Sequence, residues 1–239
     1  MSLPRHCVVT EAKPKLLDLF SGAGGAARGY QLAGFDVVGV DIEPQPHYPF
    51  GFHQADALRF LQGWLSEDRP GRGIETCYAA IHASPPCQRF SDLAKRNGNA
   101  DDWPDLIEPV RELLKATGLP YVIENVEGAP LIDPVVLCGV SFPELRVIRH
   151  RLFESNVSLE APPHKPHPLV FTHDKRKAHY GQLDQDTSYV QVTGGGNCTV
   201  ANKRDAMGID WMDGHELNEA IPPAYTEFIG AQLMTAVLA

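Results

Sequence analysis

The segment from 15 to 41 places the tightest constraint on the fold. An apolar run, KLLDLF, leads into SGAGGAARGYQLAG and then into a second apolar run, FDVVGVD, which ends on a carboxylate. A strand, a glycine turn, a short helix and a second strand open a parallel βαβ unit. Gly22 and Gly24 let the backbone approach a ligand, and the helix that follows aims its N-terminus at it. Gly22, Gly24 and Ala27 satisfy the G-x-G-x-x-G/A fingerprint, with Asp41 17 residues after Gly24, where an acid receives ribose hydroxyls. A nucleoside-containing cofactor is the favoured reading, over a glycine turn that holds no ligand. Asp56, in HQADAL, is a candidate third-strand acid for an adenine amino group, with a plain surface acid as the alternative.

The pattern continues. CYAAIHAS (77–84) is a strand candidate that runs into Pro85, Pro86 and Cys87. Over 103–118, Leu106, Ile107, Val110, Leu113 and Leu114 recur at helical spacing, with Pro104 near the first turn and Gly118 as a stop. YVIENV (121–126) is the next strand. Such alternation predicts an α/β fold, a parallel sheet with helices on both faces. From about 156 to 200 the chain is rich in Pro, His, Gly and basic residues without periodicity, as in a small lobe or a long functional loop. The stretch 222–239 begins with prolines and sets Tyr225, Phe228, Ile229 and Leu233 on one helical face. With 239 residues, 43% of them apolar, the chain can bury a core as one domain with a small appendage. The expected division is a leader (1–14), a main domain (15–155), a lobe (156–202) and a segment returning to the main domain (203–239).

Three constellations carry chemistry. In SPPCQRFS (84–91), two prolines hold Cys87 rigidly at the carboxyl edge of the sheet, where a nucleophile is useful. Its activation calls for a lowered thiol pKa, with Arg89, Lys95 and Arg96 as candidate neighbours. Glu124 and Asn125 interrupt a strand that should be buried; a carboxyl group there is costly unless it is paired or functional, and suits proton donation. A strand-end or capping role is the plain alternative. In RVIRHR (146–151), Arg149 and Arg151 fall on one face of an extended strand and suit a phosphate or carboxylate, against a solvated-surface alternative. The other four cysteines read as small buried hydrophobes. Five cysteines without a C-x-x-C pair suggest neither disulfides nor a zinc knuckle, so no metal is expected and a reduced, cytoplasmic setting fits. The first residues lack a signal-peptide apolar region and no stretch approaches the roughly 18 apolar residues of a membrane span.

Taken in order, DLFSGAGG, VGVDIE, QADAL, SPPCQRFS, IENVEG, RHRLF and NEAIPPAYTEFIG resemble the DNA (cytosine-5) methyltransferase family in a compact form similar to those of phages and bacteria. The resemblance spans 15–155 and about 203–232. It implies a Rossmann-like S-adenosylmethionine-dependent methyltransferase sheet, with the small irregular lobe as target-recognition region. It implies S-adenosylmethionine as cofactor and S-adenosylhomocysteine as product. Phe20, Ser21, Gly22 and Gly24 would line the methionine and adenosine, Asp41 the ribose, Asp56 and Ala57 the adenine, Pro85 the sulfonium side, with Ile42 and Ala220 completing the site. Cys87 would add to cytosine C6, Glu124 would hold and protonate N3, Asn125 would position the loop, Arg151 would contact the base and orient Glu124, and Arg149 would support the catalytic loop. DNA contacts would come from Gln88, Arg89 and Ser91, and in the lobe from Lys175, Arg176, Lys177, Gly194 and Gly195. The chain departs from the family pattern at Val147, where a glutamine is usual, at Ile42, where an aromatic usually stacks on adenine, and at Glu219, in place of an asparagine. A monomer acting on double-stranded DNA is expected. The alternatives are a tRNA cytosine-5 methyltransferase, a catalytically silent DNA-binding relative, and a nicotinamide-dependent oxidoreductase supported by the glycine pattern alone.

A net charge of −9 argues at first against a polyanionic partner. Sorted by position, it does not. Residues 146–179 carry seven Lys and Arg against three acids, or +4, and hold five of the ten histidines. The stretch 89–96 carries +2, which leaves −15 on the remainder. Positive charge collects in the two segments assigned to DNA, and the acidic remainder would repel DNA elsewhere.

Overall fold

The computed structural model describes residues 12–66, 73–90, 102–171, 187–193 and 198–239. Ser91, Lys95, Arg96, Lys175, Arg176, Lys177, Gly194 and Gly195, all singled out by sequence, lie outside them. The chain begins with β1 (Lys15–Leu19), α1 (Gly25–Leu32), β2 (Asp36–Asp41), β3 (Gly51–Gln54) and α2 (Ala57–Leu65). It continues through β4 (Ala80–Ala83), α3 (Ile107–Thr117), β5 (Tyr121–Asn125), β6 (Val135–Leu137) and β7 (Arg151–Ser155). Three helices follow: α4 (Val200–Met207), α5 (Gly214–Glu219) and α6 (Pro223–Val237).

The strands form one sheet in the order β3-β2-β1-β4-β5-β7-β6. The first five are parallel; β7 runs antiparallel to both β5 and β6. Alternate residues supply two cores, as the period of a strand requires. Leu16, Ala80 and Val122 pack with α1 and α6 on one face; Leu17, Ile81 and Ile123 pack with α2 and α3 on the other. Helices on both faces make this the expected α/β Rossmann-like fold, but the sheet is mixed where a parallel one was expected, because β7 enters antiparallel between β5 and β6.

The direction of the strand order reverses between β1 and β4, and ligands of such sheets bind beyond the carboxyl ends at that point. Antiparallel β7 begins where β5 ends, pairing Asn125 with Leu152, so its first residue, Arg151, reaches the same edge. A buried fork holds β7 in place. Arg111 on α3 donates from Nε and Nη2 to the two carboxylate oxygens of Glu154, at 2.7 and 2.8 Å. Such bidentate pairs fix geometry as well as energy.

Two further sequence expectations need correction. The arginine strand does not cover 146–151: Arg149 precedes β7, and Val147 forms only an isolated bridge with Val190. The reason is that the Arg149 carbonyl accepts a hydrogen bond from Tyr225 Oη at 2.6 Å, which takes it out of any ladder. The strand expected over 77–84 is shortened because a 3-10 turn, Ile74–Thr76, occupies its approach.

Glycine spacing in α1 has a second purpose. A Cβ built on Gly29 would lie 2.1 Å from both Pro223 O and Thr226 Oγ1, and one on Gly25 2.5 Å from Ile221 O. The two glycines therefore let α6 and its approach lie directly on α1, where Thr226 Oγ1 donates to Ala26 O at 2.8 Å. Backbone atoms cannot retreat as a flexible side chain can, so Gly29→Ala should destabilise by about 1–3 kcal/mol or more. A urea-unfolding midpoint that does not fall would contradict this packing.

Candidate active site

At the carboxyl edge, β4 ends at Ala83 and the chain passes through Ser84, Pro85 and Pro86 to Cys87, which starts a short 3-10 turn, Gln88–Phe90. The prolines remove donors, so something else must hold this loop. Asn125, at the end of β5, does so: its Nδ2 donates to Pro85 O at 2.9 Å, and its Oδ1 accepts from Val126 N at 2.9 Å. Glu124, the preceding residue, is buried, and Arg151 Nε lies 2.9 Å from its Oε1. That contact is an ion pair whose angle falls outside hydrogen-bond geometry, so Oε1 keeps its accepting capacity. Cys87, Glu124, Asn125, Arg149 and Arg151 thus come together from three separate stretches of chain.

The Cys87 thiol is pushed above its ordinary range, first by burial and then by the Glu124 carboxylate; Arg151 and Arg149 pull it partly back. This corrects the sequence expectation of a lowered thiol pKa. Arg89 is directed elsewhere, Nη1 donating to Trp103 O at 2.9 Å. Among the described residues, the cations that face the thiol come from around the start of β7.

Arg149 is buried, with its Nη1 donating to Val192 O at 2.8 Å and its Nη2 to Asn218 O at 2.7 Å. Burial, and then the neighbouring Arg151, lowers its pKa to about 9. Sequence reasoning missed Lys203, a buried cation on α4 whose Nζ donates to Thr193 O at 3.1 Å and Asn218 Oδ1 at 2.6 Å. The polar face of an otherwise weakly patterned helix gave no signal of it. Also missed were Asp18 and His82, paired across β1 and β4 with no solvent exposure and 2.9 Å from Oδ1 to Nδ1. Their signal was an acid in KLLDL and an imidazole in AIHA, each in an apolar run.

On the other side of the switch point, Phe20 (φ 56), Gly22 (φ 48) and Gly24 (φ 86) all take left-handed backbone conformations. For Phe20 that is strain, of a kind that persists at ligand sites. Gly22 N donates to Asp41 Oδ2 at 2.9 Å and Glu43 N to Oδ1 at 3.0 Å, so the strand-end carboxylate organises the turn. The buried Ser21 hydroxyl has no partner among the described residues, and a Cβ on Gly22 would meet nothing within 4 Å. Ile42 is 62% exposed, an apolar platform beside Asp41. An unsatisfied hydroxyl, open space over a strained turn and an uncovered apolar surface fit an adenosine-bearing cofactor such as S-adenosylmethionine. Asp56 also caps α2, its Oδ1 accepting from Arg59 N at 2.9 Å, and Ala57 is the first, buried residue of that helix. Ala220 follows α5, lying 3.3 Å from a Cβ built on Gly25, and Glu219 is exposed. A groove of about 900 Å³ between Phe50 and Trp211 is lined by none of these residues.

The family model described as C-5 cytosine-specific DNA methylase matches residues 14–131. Over 129 residues the chain is 30% identical to the Type II methyltransferase M.HgiGI of Herpetosiphon aurantiacus, a match covering 94% of that protein and 49% of this one. The chain belongs to the C-5 cytosine-specific DNA methylase family. It is also 31% identical over 122 residues to M.AquIA of a Picosynechococcus strain, covering 48% of this chain and 49% of that relative. The chain thus spans about half the length of M.AquIA, and 29% of M.XorII of Xanthomonas oryzae. Among solved structures, a protein described as a DNA modification methyltransferase encoded within an E. coli prophage aligns with a TM-score of 0.59 at 15% identity, over 95% of this chain and 100% of its own. The Dnmt2 methyltransferase of S. pombe aligns at 0.57 and 13% identity, over 95% and 99%. These two likenesses establish the shared fold. Arg149, Arg151 and the returning helices lie beyond the stretch matched by the family model.

The charges around Cys87 give a signed expectation. Replacing Glu124 by Gln removes an anion that opposes the thiolate, so the Cys87 pKa should fall; Arg151→Gln removes a supporting cation and should raise it. Rates of iodoacetamide labelling of the Cys87 peptide across pH read this directly. Wild-type Cys87 titrating at or below the ordinary thiol range of about 8.5 would contradict the burial seen here.

Proposed function

We propose that the protein methylates C5 of cytosine in double-stranded DNA through a transient covalent bond between Cys87 and C6. The reading rests above all on the convergence of Cys87, Glu124 and Arg151 at one sheet edge, in a chain of this family.

The pyrimidine C5 of cytosine is a poor nucleophile. Addition of the Cys87 sulfur to C6 releases the thiol proton, which the Glu124 carboxylate takes and passes to N3, so that the ring becomes an enamine whose electron pair resides at C5. S-adenosylmethionine, held by the residues around Phe20, Ser21, Gly22, Asp41, Ile42 and Pro85, supplies an electrophilic methyl group. Loss of the C5 proton to water and departure of the Cys87 sulfur, which regains the N3 proton through Glu124, then restore the aromatic ring. Arg151 orients Glu124 and contacts the base; Asn125 fixes the Pro85 carbonyl so that Cys87 faces the same point; Arg149 supports both. Because C5 and C6 are stacked within a duplex, the base must turn out of the helix to reach Cys87. The basic stretches at 89–96 and 146–179 supply phosphate contacts, and the segment 156–202 serves as the target-recognition lobe, contributing Gly194 and Gly195 to the groove. The raised thiol pKa adds a feature of its own. In the free protein Cys87 is a protonated thiol at neutral pH, and nucleophilic addition is coupled to its deprotonation once the base is in place.

Transfer of labelled methyl groups from S-adenosylmethionine to duplex DNA and to tRNA tests this reading. Label should enter DNA alone, as 5-methylcytosine, and fall by at least about 10³-fold in Cys87→Ala. Transfer only to tRNA would replace the substrate; undiminished transfer by Cys87→Ala would end the covalent mechanism.

A further inference from the structure

Away from the cofactor turn, four side chains converge in a way the methyl-transfer reading does not use. Cys138 follows β6, His150 stands between Arg149 and Arg151, and His164 and His167 lie on the extended chain that leaves β7. Their donor atoms all lie within 4.8 Å of one another. His150 Nε2 is 3.2 Å from His164 Nε2, His164 Nε2 is 3.2 Å from His167 Nε2, and His167 Nε2 is 3.5 Å from Cys138 Sγ. We propose that Cys138, His150, His164 and His167 form a structural zinc site.

Three of the donor–donor distances are those of a tetrahedron, and the remaining donors lie within 4.8 Å, so small side-chain shifts close the set around one ion. Bonds of about 2.0–2.1 Å to nitrogen and 2.3 Å to sulfur separate neighbouring donors by about 3.3 Å between nitrogens and about 3.5 Å between sulfur and nitrogen. Hydrogen bonding among the rings does not account for the cluster as well. A ring nitrogen carries either one proton or one lone pair, yet His164 Nε2 faces two other Nε2 atoms at the same distance, and His167 Nε2 faces a nitrogen and a sulfur. One cation satisfies four lone pairs at once.

A second, independent observation sets the tautomer. His150 Nδ1 lies 3.1 Å from Glu127 Oε2. A carboxylate accepts the Nδ1 proton, which leaves Nε2 with its lone pair directed into the cluster, the carboxylate–histidine arrangement that orients metal ligands. Thiolate with imidazole suits zinc. Four protein donors leave no open position, so the site is structural rather than catalytic. The burial gradient agrees: Cys138 is buried, His150 half-buried, and His164 and His167 are exposed, which gives the ion an entry path.

The consequence is mechanical. Zinc would tie the chain that departs toward 172–186 to the sheet edge beside Arg149 and Arg151. The sequence expectation of no metal came from the lack of a C-x-x-C pair, a pattern irrelevant to one cysteine joined by three histidines.

Full-length protein made without a histidine tag should retain about one zinc per chain after dialysis against metal-free buffer, measured by mass spectrometry of the metal. His164→Asn with His167→Asn should reduce this to below about 0.1 per chain, both positions being exposed and the fold checked by circular dichroism. Replacing zinc with Co²⁺ should give the intense visible absorption of a tetrahedral ion together with a thiolate-to-cobalt charge-transfer band, and Cys138→Ala should abolish that band. Wild-type protein that fails to hold zinc when titrated with it, a folded double variant that keeps its zinc, or a cobalt spectrum without the thiolate band would each overturn the proposal.

Discussion

A buried guanidinium, that of Arg149, ties the active-site edge to everything that follows it in the chain. Removing an ion from water costs several kcal/mol, and the cost is met only where fixed dipoles replace the solvent. Here these are the carbonyl oxygens of Val192 and Asn218, while the Arg149 carbonyl is itself held by Tyr225 on α6. The residues before β7, the segment around 190 and the returning helices must therefore assemble together or not at all. With a pKa of about 9, the guanidinium is still charged at neutral pH. Lys203 repeats the device from α4, fastening Thr193 to Asn218.

The same assembly sets the electrostatics of the reaction edge. A parallel sheet alone would bring only its strand ends, with Cys87, Glu124 and Asn125. Antiparallel β7, locked by Arg111 and Glu154, adds Arg151 to that edge. The thiol then faces a carboxylate and two cations in a partly desolvated site, with burial and the carboxylate prevailing. Such a balance holds the thiol above its ordinary range.

Much of this was legible in the sequence because local chemistry and topology coincide. The glycine turn, the acid ending β2, the prolines before Cys87 and the polar pair ending β5 each depend on a few neighbouring residues, and they recur where the sheet demands. What stayed hidden depends on distant contacts. Arg149 read as part of a strand because alternation cannot register a carbonyl taken by Tyr225. Arg89 read as a neighbour of the thiol because proximity in sequence cannot show its bond to Trp103. Asp18 with His82, and the cluster of Cys138 with three histidines, appear only when strands and loops far apart in sequence are brought together. The roles assigned to Lys175, Arg176 and Lys177 rest on charge alone.

Covalent capture tests the central claim most directly. A pool of duplexes of random sequence carrying 5-fluorocytosine should trap the enzyme once a methyl group has been delivered, because fluorine at C5 cannot leave as a proton does. Expected is a denaturation-resistant protein–DNA complex that forms only with S-adenosylmethionine and yields the Cys87 peptide as the modified one. Methylation of an unsubstituted pool without any such complex, or an adduct on another residue, would contradict the assignment of Cys87 as the nucleophile.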